Sequence, residues 1–220
     1  MSIMARVRSL GEVDATGFQN IYIVCADSGV GVANAAGSGP AKNVVGDGRQ
    51  SQCRPSLRQR HAITRTETVA HHQQRQVINA SVSGETTQGG VRRLPGLLAQ
   101  YQPQWVLLEL GANDGLRGYP IAKMTANLSR MIVQSQTAGA KVAVLGIQLP
   151  PNYGARYTGP FFHQYAHLAQ QHNTALVPFI LEDIAIHPHL MQADGLHPTQ
   201  AAQTLILDNV WQHLSVHWTN

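Results

Sequence analysis

Residues Trp105-Val106-Leu107-Leu108-Glu109-Leu110-Gly111-Ala112-Asn113-Asp114-Gly115 decide how this chain reads. The first six form a compact apolar run of strand character, and the glycine-bounded end is a turn signal. Working outward, the same alternation repeats. Val77–Ala80 reads as a short strand, and Thr87–Gln100 as a helix with Val91, Leu94, Leu97 and Leu98 at helical spacing. Ile121–Ala138 reads as a helix with Leu128, Met131 and Ile132 inward, and Val142–Gly146 as a strand. Beyond it come a Pro/Gly/Tyr-rich loop over Leu149–Pro160, a helix over Phe161–His172 and a strand over Ala175–Phe179. A closing helix over Thr199–Ser215 starts after Pro198. Strands alternating with helices of this length predict an α/β domain, its parallel sheet covered on both faces. Sites in such sheets form at the carboxyl ends of the strands.

A chain of 220 residues suits one domain with a single core. Its pI of about 9.3 would ordinarily suggest a polyanionic partner. The position of the charge argues otherwise. Residues 76–220 hold equal numbers of basic and acidic side chains, so the net charge of +4 lies in the first 75 residues. Cys25 and Cys53 lie there too, which leaves the remainder without a disulfide framework or a thiolate metal site. The basic segment has almost no aromatic side chains for base stacking, so no nucleic-acid partner is expected. No apolar run approaches the roughly 20 residues of a membrane span, so no stable membrane insertion is expected.

Three features fall at expected strand ends. Asn79-Ala80-Ser81-Val82-Ser83-Gly84-Glu85-Thr86-Thr87 runs from a strand into a small-residue turn at a helix start. Gly84 there leaves a backbone N–H able to donate to a substrate, though an ordinary strand–helix turn reads the same way. Asn113, after the Trp105–Leu110 strand, carries an uncharged amide suited to a developing oxyanion, and Asn-Asp-Gly is also a common turn. Asp194-Gly195-Leu196-His197-Pro198 sets a carboxylate three residues before a histidine. The carboxylate can accept a hydrogen bond from Nδ1–H and leave Nε2 as general base. A solvent-facing turn, a lone histidine among 11, or a metal ligand without partners are the competing readings.

In combination, NASVSGETT (79–87), RLPGLLAQYQPQWVLLELGANDGLRG (93–118), LPPNYGARY (149–157) and QADGLHP (192–198) resemble the GDSL, or SGNH, hydrolase family. They resemble in particular its bacterial branch of multifunctional acyl-thioesterases, lysophospholipases and arylesterases. The resemblance runs over about residues 76–214. It implies a flavodoxin-like three-layer α/β/α sandwich and a serine esterase of carboxylic esters and thioesters, with no cofactor and no metal. It also implies an oxyanion hole from Gly84 N–H and the Asn113 side chain, with His197 as base and Asp194 orienting it. Leu149, Pro150, Asn152 and Tyr153, with the Gly115–Tyr119 stretch, would flank an acyl groove suited to aliphatic or aryl esters. The expected partner is a small-molecule ester or thioester, and the expected state a monomer.

The family's first block, a strand followed by Gly-Asp-Ser-Leu-Ser with the nucleophilic serine, is missing. Gly46-Asp47-Gly48 follows Asn43-Val44-Val45 but has glycine where the serine belongs. Written as codons and read one nucleotide later, Asn43–Arg54 is compatible with T-L-L-V-M-G-D-S-L-S-A-A. The displaced serine falls across the codon of Gln50, 34 residues before Gly84. The same shift turns Ile21–Ala33 into a run resembling the apolar core of a secretory signal peptide, which implies a periplasmic or secreted product for the restored gene. Residues 1–75 are therefore expected to be an aberrant segment, out of frame from roughly residue 20, that adds little regular structure. Residues 76–220 are expected to be the hydrolase domain without its first block. Ser51 is the nearest literal serine to the displaced position. Taken literally, the chain would be an inactive α/β remnant or binding module with a basic arm.

Overall fold

The computed structural model describes residues 20–26 and 75–218. A five-stranded sheet has the order β2-β1-β3-β4-β5, with β1 Asn20–Ala26, β2 Arg75–Asn79, β3 Trp105–Glu109, β4 Lys141–Leu145 and β5 Ala175–Val177. The α-helices are α1 Thr87–Tyr101, α2 Ala112–Leu116, α3 Ile121–Thr137, α4 Ala155–His172 and α5 Gln203–Trp218. Side chains alternate across the sheet with the period of two that a strand imposes. Val106, Leu108, Val142 and Val144 join Leu94, Leu128, Ile132, Phe161 and Leu168 in one core under α1, α3 and α4. Trp105, Leu107, Ala143, Leu145 and Val177 join Leu181, Ile184 and Leu214 in a second core under α5 and the segment before it. Every residue of β3 is buried, as a strand covered on both sides must be. The result is a three-layer α/β/α sandwich. None of the described helices is long and apolar enough to cross a membrane.

Strands β3, β4 and β5 pair in parallel, as the alternation predicts. Strand β1 departs from expectation. It lies between β2 and β3 and runs antiparallel to both. Ile21 is fully buried against α1 and β3 neighbours, worth about 1.5–3 kcal/mol relative to exposure. The expectation that the first 75 residues add little regular structure thus fails for residues 20–26. As written, Asn20-Ile21-Tyr22-Ile23-Val24-Cys25 is rich in β-branched and aromatic residues and has strand propensity of its own. The Val44–Val45 segment, Gly46-Asp47-Gly48 and Ser51 lie outside the described residues.

Other boundaries differ too: the closing helix runs over Gln203–Trp218 and the last strand ends at Val177. The expected turn at 111–115 is the short helix α2, entered through Gly111 at φ +120°. The expected loop over 149–160 is shorter, because α4 begins at Ala155 after a 3-10 turn at Pro151–Tyr153. Pro160 sits inside α4, early enough that only one intrahelical bond near its start is forgone.

The crossing of the β4 and β5 ends is tight. A side chain on Gly146 would bring its Cβ to 1.9 Å from the Pro178 carbonyl oxygen, whereas Gly96, on α1, faces open space. Gly146→Ala is therefore expected to destabilise by about 1–3 kcal/mol through forced displacement. Gly96→Ala should instead stabilise by roughly 0.5–1 kcal/mol through helix propensity. Urea unfolding of both variants beside the parent checks the opposite signs.

Candidate active site

Strands β2, β3, β4 and β5 end at the same edge of the sheet, and their following loops meet there. A cavity of about 420 Å³ opens at this edge. Asn113 and Leu116 of α2 line it together with Leu149 and Pro150 after β4, Phe179, Leu181 and Ile186 after β5, and Gly195–His197 before α5. Asn113 and His197, far apart in sequence, thus share one pocket. Leu149 and Pro150 line it, while Asn152 and Tyr153 lie outside its lining. The Tyr153 hydroxyl donates to the Leu116 carbonyl at 3.2 Å and so props the α2 side of the mouth.

The His197 turn is locally self-sufficient. Gln192 N–H donates to the His197 carbonyl at 2.7 Å, and Thr199 N–H to the Leu190 carbonyl at 2.7 Å, so the segment closes like a hairpin. Gly195 takes φ +64° at its tip, the left-handed region that favours glycine. Asp194 Oδ1 accepts the N–H groups of Leu196 and His197 at 2.9 and 3.0 Å, and Oδ2 lies 2.5 Å from His197 Nδ1. Fixing Nδ1 on the carboxylate directs Nε2 to other partners. Burial alone would raise the Asp194 carboxyl. The His197 side-chain bond, the two backbone N–H groups and the attraction of the imidazole outweigh it and bring the group down to about 2.

Asn113 is held by contacts that motif reading does not supply. Its Nδ2 donates to the Glu85 carbonyl at 2.9 Å, which ties α2 to the turn containing Gly84. Gly84 has φ +75° within a turn closed by Glu85 N–H on the Val82 carbonyl, but it is not part of the cavity lining. Next to Asn113, Asp114 is 3% exposed and accepts Thr87 N–H at 2.8 Å and the Thr87 hydroxyl at 2.7 Å. Asn127 donates to the same Thr87 oxygen at 3.0 Å. Glu85, also buried, takes a two-pronged bond from Arg93. Below, the Tyr165 hydroxyl donates to the Leu110 carbonyl at 3.0 Å. Burial first, and then the charges of Asp114 and Glu109, push this phenol well above its usual value, so it stays a donor.

The wall formed by Phe179, Leu181, Glu182, Asp183 and Ile186 carries no motif, and its only signal is an apolar run continuing past β5. Asn209 of α5 braces it by donating to the Glu182 carbonyl at 2.8 Å. Asp183 is held at φ +56°, an uncommon conformation for a residue other than glycine. Among the described residues, no group of three or more His, Cys, Asp or Glu is placed to hold a metal ion.

Two measurements follow from this geometry. Replacing Asp114 with Ala leaves the buried Thr87 donors without their acceptor, which is expected to cost about 1–3 kcal/mol for each orphaned group; denaturant unfolding reads it, and an unchanged midpoint would refute the brace. The Asp194 carboxyl, lowered on folding, contributes stability that is complete above its ordinary 3.8 and lost as pH falls through about 2. Carboxylate carbon NMR should place its midpoint near 2, and His197→Ala should return it toward the ordinary range.

Known proteins share this fold and sequence. The GDSL-like lipase/acylhydrolase family matches residues 44–205. "Esterase TesA" of Pseudomonas aeruginosa is 53% identical over 138 residues, covering 63% of this chain and 69% of that protein. An "Arylesterase" of Vibrio mimicus is 48% identical over 147 residues, covering 67% and 74%. Among solved structures, the psychrotrophic esterase EstA from Pseudoalteromonas sp. superimposes with a TM-score of 0.62 at 47% identity, covering 65% of this chain and 78% of that one. With a matched span well over half its length on an α/β/α sandwich, this chain belongs to the GDSL-like lipase/acylhydrolase family.

Proposed function

We propose that the site serves hydrolysis of carboxylic esters and thioesters through an acyl-enzyme, and that the chain as written lacks the attacking group. In the complete reaction a serine hydroxyl attacks the acyl carbonyl and His197 takes its proton. The tetrahedral oxyanion is held by the Asn113 amide and Gly84 N–H. Collapse expels the alcohol or thiol as His197 returns the proton, and water then releases the acid by the same steps. The apolar lining from Leu116, Ile147, Leu149, Phe179 and Ile186 suits an aliphatic or aryl acyl group. The esterase and arylesterase relatives act in the same direction. For the in-frame product, a small-molecule substrate, a monomeric state and a periplasmic or secreted location complete the proposal.

One observation carries the missing nucleophile: Gly46-Asp47-Gly48 has glycine where the family's serine belongs. The direction of β1 supports the same reading. It runs opposite to the four strands whose ends form the site, so its carboxyl end, at Ala26, pairs with Arg75 at the start of β2. These features also favour the second reading, a folded but inactive binder, for the chain as written.

Two proteins measured side by side on p-nitrophenyl acetate test the proposal. The chain as written should be at or near background, since loss of a triad member removes several orders of magnitude of rate. The protein translated after the one-nucleotide shift is restored, so that Gly-Asp-Ser-Leu-Ser appears, should be strongly active, and His197→Ala should abolish that activity. If the chain as written is already fully active and Ser51→Ala removes the activity, the missing-nucleophile account is wrong.

A further inference from the structure

Helix α4 carries His163 and His167 four residues apart, both exposed, while Phe161, Gln164, Tyr165, Leu168 and Ala169 face the core. Residues at this spacing stand one above the other, with Cβ atoms about 5–6 Å apart. Two imidazoles so placed can share one metal ion, the arrangement used by paired helical histidines in zinc sites. Among the described residues neither ring makes a hydrogen bond or ion pair; His163 has only a tilted contact with Phe162 at 5.6 Å between centroids. Their ring nitrogens are therefore not already committed to other partners.

From this geometry we infer that the outer face of α4 is a binding site for a divalent transition metal, held by His163 and His167 and completed by water. An all-imidazole donor set favours copper over nickel and zinc. Among the described residues, two other pairs compete. His187 and His189 have rings 5.7 Å apart across the short 3-10 turn at Pro188–Leu190. His213 and His217 are four apart on α5, but His213 is partly covered and His217 lies in the last turn, where carbonyls lack intrahelical partners. Helix α4 holds its pair in mid-helix, one full turn inside its end, which keeps the second bond intramolecular at high effective concentration. The same turn faces inward with Phe161 and Tyr165, which lie against Gly115 and Gly111 of the Asn113 turn. A metal bridging it would resist unwinding of the helix beneath the site.

Titration of the full chain with copper sulfate, followed by calorimetry and electron paramagnetic resonance, tests the inference. The tightest equivalent should show nitrogen ligation, and H163A or H167A should weaken it by about tenfold or more. The H187A/H189A and H213A/H217A double variants should retain it. Copper should raise the thermal midpoint of the parent more than that of H163A/H167A, because a ligand specific to the folded state stabilises it. Circular dichroism verifies that these surface variants fold. Unchanged affinity in H163A/H167A, or loss of the tightest equivalent in either control variant, would overturn the inference.

Discussion

The contact between the Asp114 carboxylate and Thr87 is the constraint on which the site depends. A carboxylate at 3% exposure is tolerable only if its oxygens are occupied, and both are, by the backbone and hydroxyl donors at the start of α1. That requirement locks the loop after β2 to the loop after β3. Once they are locked, the neighbouring Asn113 can reach the Glu85 carbonyl, and Glu85 can turn its own carboxylate to Arg93. Pocket geometry on this side is thus a consequence of where a buried charge finds its hydrogen bonds. Close packing of Gly111 and Gly115 on Tyr165 and Phe161 of α4 then fixes the height of the turn.

The opposite side of the cavity is built on another principle. Asp194 and His197 belong to a single closed turn whose bonds run between residues only a few positions apart. Local hydrogen bonding orients the His197 imidazole, while long-range packing orients the Asn113 amide. The imidazole needs little from the rest of the domain beyond a place to stand, whereas the Asn113 side depends on contacts between separate elements.

This division explains what sequence reading recovers. Strands β3 to β5 and the helices α1 and α3 are legible because each has a hydrophobic pattern that burial later uses. The pairing of Asp194 with His197 is legible because the two lie only three residues apart. Asp114 is harder to see, since its partner Thr87 is 27 residues away and nothing local distinguishes it from a turn aspartate. The wall from Phe179 to Ile186 has no motif, and it acquires meaning only once β5 places it over the cavity. Helix α4 starts before its expected residue because Gly159 and Pro160 look like breakers, yet a proline near a helix start forgoes little. Strand β1 escapes a reading that treats Ile21–Ala33 by its shifted codons, although the literal residues are β-branched enough to pair.

The reversed strand has a consequence of its own. Backbone donors and acceptors repeat along an extended chain without regard to its direction, so β1 satisfies the facing edges of β2 and β3 while pointing the other way. Without it, two raw strand edges would stand open in the middle of the sheet, templates for joining one molecule to another. Solubility and chemistry are thereby uncoupled: whatever stretch fills the gap keeps molecules apart, and only the polarity of that stretch decides whether its far end serves the pocket.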